Sequence, residues 1–296
     1  MNTKSLVRSI VLIGALVSGI ANAGPSKEET KNNSVTIQHV RNATSKITYG
    51  ETTFLVDPML AKKGAYEPFG ADKSKRNPLL DLTVSVEDIV KNIDAVVVTH
   101  THLDHWDLVA QNVLPKEIPL FTQHEADAKL IQSQGFTNVH VLGMDTVFRG
   151  VSLHRTGGQH ASIEDNAKPG VAATIGDVMG VVFEAPGYKT TYIAGDTVWH
   201  QEVEQAIKQF KQFKPEIIVL NTGAAKLPGF LSDSILMDKE DVLKAHNLNP
   251  AADIVAVHMD TLDHCTLSRE SLRSYLIDQN IENQVLVPND GVVMNF

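Results

Sequence analysis

Three histidines and one aspartate fall within the six residues 100–105 of this chain. His100, His102 and His105 surround Asp104, and the run 94–98 before them is apolar and β-branched, which predicts a buried strand. Imidazole nitrogens and carboxylate oxygens are ligands that transition-metal ions bind in proteins. Side chains two positions apart in an extended segment point to the same side, so His100 and His102 could bind one ion together. The segment therefore predicts a metal site at the end of a strand.

Other residues of the same ligand types stand at strand ends or in glycine-containing turns. Asp57 and His258 each follow a short apolar run, and His160 and Asp196 each lie just after glycine. Glycine lets backbone segments approach closely without a Cβ clash. The ends of strands are also places where side chains from distant parts of a chain can converge. These four residues are candidates for completing the site.

The motif His-Thr-His-Leu-Asp-His at 100–105 resembles the HxHxDH motif of the metallo-β-lactamase-fold superfamily, whose members are mostly two-metal hydrolases. Asp57, His160, Asp196 and His258 match the other landmark residues of that superfamily in the same order. The resemblance extends over roughly residues 35–290 and is most similar to the branch named for ascorbate-6-phosphate lactonase. It implies an α/β protein with a single domain, folded as a four-layer αββα sandwich.

The resemblance also implies a ligand set, position by position. Three histidines would hold the first ion, namely His100, His102 and His160. A mixed set would hold the second ion, namely Asp104, His105 and His258. Asp196 takes the position of the carboxylate that bridges both ions. We expect two divalent ions, with zinc preferred and manganese or iron also compatible with such donors.

Two neighbouring dications would lower the pKa of a shared water, and the resulting metal-bound hydroxide would attack a carbonyl carbon or a phosphorus. Asp104 is the candidate for holding this nucleophile and accepting its proton. Asp57 is expected to hydrogen bond a ligand histidine and fix its tautomer, with a strand-end cap as the alternative. His264 is a candidate proton donor to the leaving group, with a structural, hydrogen-bonded histidine as the alternative.

The elements needed to position these residues alternate between strands and helices in both halves of the chain. Helices are predicted at 106–113, 125–134, 201–213, 239–247 and from 268 onward. Strands are predicted at 35–40, 45–49, 53–56, 94–98, 119–121, 138–142, 178–184, 189–194, 216–220, 253–257 and 285–287, and 147–156 also alternates. Two such sets of strands fit two packed sheets with helices outside.

The segment 58–81 carries three prolines and shows no helical or alternating pattern, so we expect a loop. It leaves from Asp57 and could be either an active-site lid or a plain surface loop. Tyr66, Phe69 and Arg76 are its expected substrate contacts. Trp199, shortly after Asp196, is expected to line the same pocket, with core packing as the alternative.

The N-terminal residues have the composition of a secretory signal peptide. Lys4 and Arg8 precede the apolar run 10–20, and Ala21-Asn22-Ala23 offers a cleavage site. We therefore expect a signal peptide at 1–23, a flexible linker at 24–34 and the hydrolase domain at 35–296, in a periplasmic or secreted protein without lasting membrane insertion. An uncleaved N-terminal anchor is the alternative.

The charge balance argues against nucleic acid as a partner. The chain has 26 basic and 35 acidic side chains, and removing 1–23 takes away two basic ones, leaving 24 against 35, or −11. Such a surface repels phosphate backbones, so a small-molecule substrate is expected. The oligomeric state stays open. The single cysteine, Cys265, allows no disulfide within the chain.

The expected function is an exported binuclear hydrolase that opens a lactone or cleaves a related ester. A metal-dependent phosphodiesterase is the nearest alternative, because the same ions serve either electrophile, and β-lactamase activity ranks lower. A di-iron oxidoreductase would usually carry a carboxylate in place of His102 and an attached flavin domain. A non-catalytic metal-binding protein would usually lack a ligand or the Asp104 carboxylate.

Overall fold

The computed structural model describes residues 33–209 and 214–296, which belong to one compact unit, Asn33–Phe296. The predicted signal peptide at 1–23 and nearly all of the predicted linker lie outside the described residues. Within the described ranges, no helix is both long and apolar enough to cross a membrane.

The first of two seven-stranded sheets is built mainly from the N-terminal half. In chain order its strands are β1 (Val35–Arg41), β2 (Thr44–Tyr49), β3 (Thr52–Val56), β4 (Ala95–Val98), β5 (Leu120–Thr122), β6 (Val139–Val141) and β14 (Val293–Asn295). Their spatial order is β14-β1-β2-β3-β4-β5-β6. The pairs from β14 to β3 are antiparallel, and the pairs from β3 to β6 are parallel.

The second sheet repeats this pattern of strand directions. Its strands are β7 (Thr146–Phe148), β8 (Val151–Gly157), β9 (Met179–Glu184), β10 (Thr191–Ile193), β11 (Ile217–Asn221), β12 (Asp253–Val257) and β13 (Val285–Leu286). They lie side by side in chain order. The pairs from β7 to β10 are antiparallel and those from β10 to β13 are parallel.

Eight helices join the strands in the described ranges: α1 (Val86–Val90), α2 (Leu108–Val113), α3 (Glu125–Ser133), α4 (Ile163–Asn166), α5 (Val171–Ile175), α6 (Gln201–Lys208), α7 (Lys239–Leu248) and α8 (Arg269–Asp278). A side chain caps the first turn in six of them. Asp238, for example, forms a reciprocal capping box with Asp241 at the start of α7.

Most buried apolar side chains of the described residues form three layers between these elements, and a fourth, smaller cluster packs α5 against the segment 225–236. Strand β4 shows the arrangement, because Val97 packs into the core between the sheets, whereas Val96 and Val98 pack on the opposite face. The middle core combines residues of both sheets, such as Phe54 and Phe183. One outer core packs α1, α2 and α3 on the first sheet, and the other packs α6, α7 and α8 on the second. The predicted αββα sandwich in a single domain is confirmed.

Several predicted boundaries were wrong for local reasons. The helix predicted from residue 106 begins at Leu108, because the Asp107 side chain caps it by accepting a hydrogen bond from Ala110 N. The alternating run 147–156 is broken into β7 and β8 by a turn at Arg149 and Gly150, both with positive φ. The helix predicted at 201–213 ends at Lys208, and 210–213 lie outside the described residues.

Three short helices and one edge strand were not predicted. α1, α4 and α5 span only four or five residues, too few to show a helical period. β14 is three residues long and pairs with β1, more than 250 positions earlier. The predicted closing strand at 285–287 is β13, at the edge of the second sheet.

Candidate metal centre

The candidate site lies where the carboxyl ends of strands from both sheets meet. Asp57 follows β3, and residues 100–105 follow β4 in the first sheet. His160 follows β8, Asp196 follows β10 and His258 follows β12 in the second sheet. Parallel strands present their carboxyl ends at one edge, which is where α/β folds commonly place their sites. The topology thus brings together residues that are up to about 200 positions apart.

One group of ligand atoms consists of three imidazoles. His100, His102 and His160 have nitrogens that all lie within 4.8 Å of one another. His100 Nε2 is 2.9 Å from His102 Nδ1. The ring centroids of His100 and His102 lie 5.3 and 5.1 Å from that of His160. The first and third of these residues are buried, and His102 is partly exposed.

The second group combines two carboxylates and two imidazoles, all buried: Asp104, His105, Asp196 and His258. His258 Nε2 lies 3.2 Å from Asp104 Oδ2 and 3.3 Å from His105 Nε2. His105 Nε2 lies 3.1 Å from Asp196 Oδ2 and 3.4 Å from Asp104 Oδ2. Four donor atoms therefore converge on one small volume.

Asp196 lies between the two groups. Its Oδ2 is 3.1 Å from His105 Nε2 and 3.7 Å from His160 Nε2, and its Oδ1 is 3.5 Å from His258 Nε2. The preceding Gly195 has φ +69°, and a Cβ there would lie 2.4 Å from Met179 O. Only glycine allows this close approach, so the backbone conformation holds Asp196 between the groups.

Asp57 supports one imidazole of each group from behind. His105 Nδ1 donates to Asp57 Oδ2 at 2.9 Å, which leaves Nε2 facing the carboxylates. The Thr99 hydroxyl donates to Asp57 Oδ2 at 2.7 Å and lies 3.2 Å from His100 Nδ1. Since that hydroxyl proton is already used, His100 Nδ1 is the donor and its Nε2 keeps the lone pair. Such partners fix the tautomer of ligand histidines.

The third imidazole with a fixed tautomer is His160. Its Nδ1 donates to the carbonyl of Ile235 at 3.1 Å, so its Nε2 also presents a lone pair. Burial lowers the pKa of His160 to about 4. Burial also lowers the pKa values of His100 and His102, with the neighbouring His105 contributing to both. The three-histidine group is therefore neutral at pH 7, the form that binds metal ions.

In the second group, neighbouring charges shift the pKa values in the direction opposite to that expected from burial. Burial alone would lower the pKa of His105 and His258, but nearby carboxylates, Asp196 first, raise both well above the ordinary value. Burial would likewise raise the pKa of Asp104 and Asp196, but His105 and His258 hold both well below the ordinary range. Both carboxylates are thus ionised, and they attract positive charge to this position.

This donor set fits divalent transition-metal ions. Among the described residues, the ion-pair partners of Asp57, Asp104 and Asp196 are histidines, with no lysine or arginine. Buried carboxylates need a compensating cation. The facing Nε2 atoms of His105 and His258 likewise need a shared proton or a cation between them. A mixed nitrogen and oxygen shell of this kind suits zinc, iron and manganese.

The structure adds Asn221, which sequence reasoning missed. It ends β11, and its Nδ2 donates to Asp196 Oδ1 at 2.7 Å, fixing the carboxylate between the two groups. A polar residue at the end of an apolar strand was the available signal. Without the neighbouring strand, that signal does not distinguish a site residue from an ordinary turn residue.

A cavity of about 240 Å³ opens over the two groups. Four candidate ligands line one side, namely His102, Asp104, His160 and Asp196. The remaining wall is largely apolar and consists of Phe69, Leu103, Thr174, Ile175, Leu227, Ile235 and His264. The candidate metal centre is therefore the polar end of a small pocket whose other walls are mostly hydrocarbon.

His264 lies in the wall of this cavity and is buried. Its Nδ1 is sealed from solvent without a hydrogen-bond partner, so exchange of a proton with the cavity would occur at Nε2. Its ring packs edge-on against Phe69, with 5.4 Å between centroids. Cys265 is partly buried, and desolvation of its thiol raises the pKa, as expected for an unreactive cysteine.

Of the four predicted substrate contacts, the structure places Phe69 in the cavity wall and the other three outside it. The Tyr66 hydroxyl donates to Asp107 at 3.2 Å. Arg76 is exposed and binds Glu67 and the carbonyls of its own loop. Trp199 packs against the outer core of the second sheet, with the ammonium of Lys244 5.4 Å from its ring.

Comparison with known proteins agrees with this geometry. A family model described as a beta-lactamase superfamily domain matches residues 52–259. The UPF0173 protein YddR of Bacillus subtilis (strain 168) is 44% identical over 262 residues, which cover 88% of this chain and 99% of that protein.

Two solved structures show the same similarity over the same lengths. A possible metal-dependent hydrolase from Veillonella parvula DSM 2008 is 44% identical with a TM-score of 0.85, and an isothiocyanate hydrolase from Delia radicum gut bacteria is 43% identical with a TM-score of 0.83. Each match covers 88% of this chain and 99% of the other. The chain belongs to the beta-lactamase superfamily and, within it, to the UPF0173 family of metal-dependent hydrolases.

Proposed function

We propose that this protein hydrolyses a small, uncharged electrophile that carries an apolar side group, using one divalent ion in each of the two ligand groups. The first ion would be held by His100, His102 and His160. The second would be held by Asp104, His105 and His258, with Asp196 shared. The narrower assignment to the ascorbate-6-phosphate lactonase branch has no support beyond the motif itself.

The cavity is the observation that carries this proposal. Its polar end consists of candidate ligands, and its other walls offer aromatic and aliphatic side chains such as Phe69 and Ile175. No lysine or arginine is present among the lining residues. A volume of about 240 Å³ is below the usual range of drug-sized ligand pockets, which favours a small substrate. These features favour a neutral substrate over an anionic phosphodiester.

An isothiocyanate is the substrate class that we propose first. Its central carbon is electrophilic, its reacting group is linear and narrow, and its side group is commonly apolar. The similarity to the isothiocyanate hydrolase supports this class. The balanced reaction adds one water to R–N=C=S and yields the amine R–NH₂ and carbonyl sulfide. A lactone or a related ester is the second class, because it is also uncharged with one electrophilic carbon.

Residues of the chain can be assigned to separate steps of this reaction. When bound, divalent ions acidify a coordinated water and stabilise the charge that develops on the substrate. Asp104 accepts the proton of the attacking water at its carboxylate. Asp104 then returns this proton to the leaving group, which is the nitrogen of an isothiocyanate or the alkoxide of an ester, and His264, whose pKa is lowered by burial, donates a hydrogen bond from its neutral ring at Nε2 to that group. Phe69 and Ile175 bind the apolar side group and exclude water.

The test is turnover by metal-loaded protein on a panel of allyl and benzyl isothiocyanate, γ-lactones, a β-lactam and a phosphodiester. We expect the isothiocyanates to be hydrolysed, as measured by release of the amine. In Asp104→Asn, kcat should fall by at least about 100-fold. Asp81→Asn, which changes an exposed aspartate that binds Lys63 N, is the matched control. Hydrolysis of the phosphodiester alone, or silence across the panel with ions bound, would contradict the proposal.

A further inference from the structure

The Asp263 side chain makes more hydrogen bonds than an ordinary loop aspartate. Its Oδ1 accepts from Phe69 N at 2.9 Å and from Asn77 Nδ2 at 2.8 Å. Its Oδ2 accepts from Gly70 N at 2.9 Å. A carboxylate that accepts several N–H donors forms charge-assisted bonds, which are stronger than neutral ones. Asp263 therefore fixes both the backbone at 69–70 and the side chain of Asn77.

Asn77 completes the contact in the opposite direction. Its Oδ1 accepts from Asp263 N at 3.0 Å, and its own backbone N and O pair with Tyr66 at 2.9 and 2.7 Å. The residue is fully buried, and every polar group on it has a partner. We call this pair of residues the Asp263–Asn77 clamp.

The clamp joins two segments that meet at the cavity. One is the loop 58–81, which carries Phe69, and the other is the turn after β12, which carries His264. Leu79 N also donates to Thr261 O at 2.7 Å across the same junction. A Cβ on Gly70 would lie 2.8 Å from Asp263 Oδ2, so the two segments touch without spare room. The edge-on contact between Phe69 and His264 lies directly beside this junction.

From this arrangement we propose that the Asp263–Asn77 clamp determines which apolar side groups the cavity admits. Asp263 does not line the cavity, so it acts as a positioning residue through Phe69. Holding the loop down keeps the Phe69 ring in the wall and limits the length of the side group. The inference deepens the proposed function, and its consequence for substrates rests on that function.

Replacement of Asp263 by asparagine should loosen the wall. An amide offers one acceptor oxygen where the carboxylate offers two, and its NH₂ group would face backbone N–H donors. At least one of the bonds to Phe69 N and Gly70 N is then lost. Phe69→Ala removes the same part of the wall directly, without touching the clamp.

The test uses metal-binding probes, so that it does not depend on turnover. Straight-chain alkyl hydroxamates of increasing length are titrated calorimetrically into metal-loaded wild type, Asp263→Asn, Phe69→Ala and the double variant, with Asp81→Asn as the control. In wild type and control, affinity should rise with length and then fall by about tenfold beyond a limiting length. Both single variants should lose that limit, and the double variant should bind like Phe69→Ala alone, because coupled residues are not additive.

Two results would overturn the inference. One is an unchanged limiting length in Asp263→Asn, and the other is independent, additive effects of the two substitutions. Hydrogen exchange provides a second measurement: the amides of Phe69 and Gly70 should lose protection in Asp263→Asn and keep it in Asp81→Asn, and retained protection would also overturn the clamp. A shifted limit together with silence on the substrate panel would refute the proposed function and leave this inference standing.

Discussion

At the scale of single residues, the two ligand groups differ in how much each member contributes. In the three-histidine group, His160 is the only member supplied by the second sheet, and its tautomer is fixed by the Ile235 carbonyl. His100 and His102 are two positions apart in the sequence and lie in the same segment after β4. Loss of His160 therefore opens one side of this group without disturbing the other.

For His160→Ala we expect the bound metal to fall by about one ion per chain, because two imidazoles and a share of the Asp196 carboxylate hold an ion weakly. His140→Ala is the matched control, since His140 is an exposed histidine paired with Asn138. Elemental analysis of the purified proteins by inductively coupled plasma mass spectrometry gives the count. An unchanged metal content in His160→Ala would contradict its assignment as a ligand.

The ligand types were predictable from sequence for a physical reason. Metal sites need rare side chains at high local density, so the cluster at 100–105 is visible without a structure. Asn221, Asn77 and Asp263 were not visible, because amides and carboxylates are common in turns and their roles depend on a partner distant in the chain. Of the predicted substrate contacts, Tyr66, Arg76 and Trp199 lie outside the cavity wall, since a position near a site in sequence does not fix the direction of a side chain.

At the scale of elements, the turn between β10 and Asp196 is tightly constrained. Gly195 combines positive φ with a contact to the Met179 carbonyl. Gly195→Ala should lower the free energy of unfolding by about 1–3 kcal/mol from backbone strain, with a further loss from the clash. It should also lower metal content, because Asp196 must move.

The control for this substitution is Gly150→Ala. Gly150 has φ +82° with no atom within 4 Å of a Cβ, so it reports the cost of positive φ alone. Urea denaturation of both variants separates the two contributions. Equal losses of stability in the two variants would show that the Met179 contact does not matter.

The contact between His39 on β1 and Asp290, just before β14, should make the free energy of unfolding depend on pH. His39 on β1 is buried, with its Nε2 3.3 Å from Asp290, which also binds Arg269. Burial lowers the pKa of His39 below 6.5, more than the Asp290 carboxylate raises it. A histidine whose pKa is lower in the folded state than in the unfolded state is stabilising above the unfolded value. That stability is lost as the pH falls below it.

We therefore expect the free energy of unfolding to fall on acidification from about pH 7 to pH 5. His39→Gln should show a shallower fall over the same range, because it removes this titration. Urea denaturation curves at several pH values, with the metal loading held constant, give the comparison. Identical slopes in the two proteins would exclude His39 as a contributor.

Element boundaries were predictable where a local signal decides them. A few consecutive residues are enough to define the apolar runs of β4, β9, β11 and β12 and the caps of α3 and α7. The pairing of β14 with β1 depends on a contact with a distant segment, and α4 and α5 are too short to show a helical period. No local window carries that information.

At the scale of the whole molecule, the proposed destination of the protein is open to a direct test. We expect the protein expressed from its full sequence to be cleaved after Ala23 and to be recovered outside the cytoplasm with Gly24 as its first residue. Intact-mass measurement of each cell fraction checks both points. The full-length mass in the membrane fraction would support the uncleaved anchor instead.

The two sheets share the metal centre, and neither carries a complete set of ligands. Residues after β4 supply His100, His102, Asp104 and His105, whereas strands of the second sheet supply His160, Asp196 and His258. Any ion bound there would cross-link the two halves, and its binding free energy would add to the stability of the assembled domain. At a free ion concentration 100 times the dissociation constant, this linkage amounts to about 2.7 kcal/mol per site. The supply of metal would then govern the fraction of chains that are folded as well as their catalytic rate.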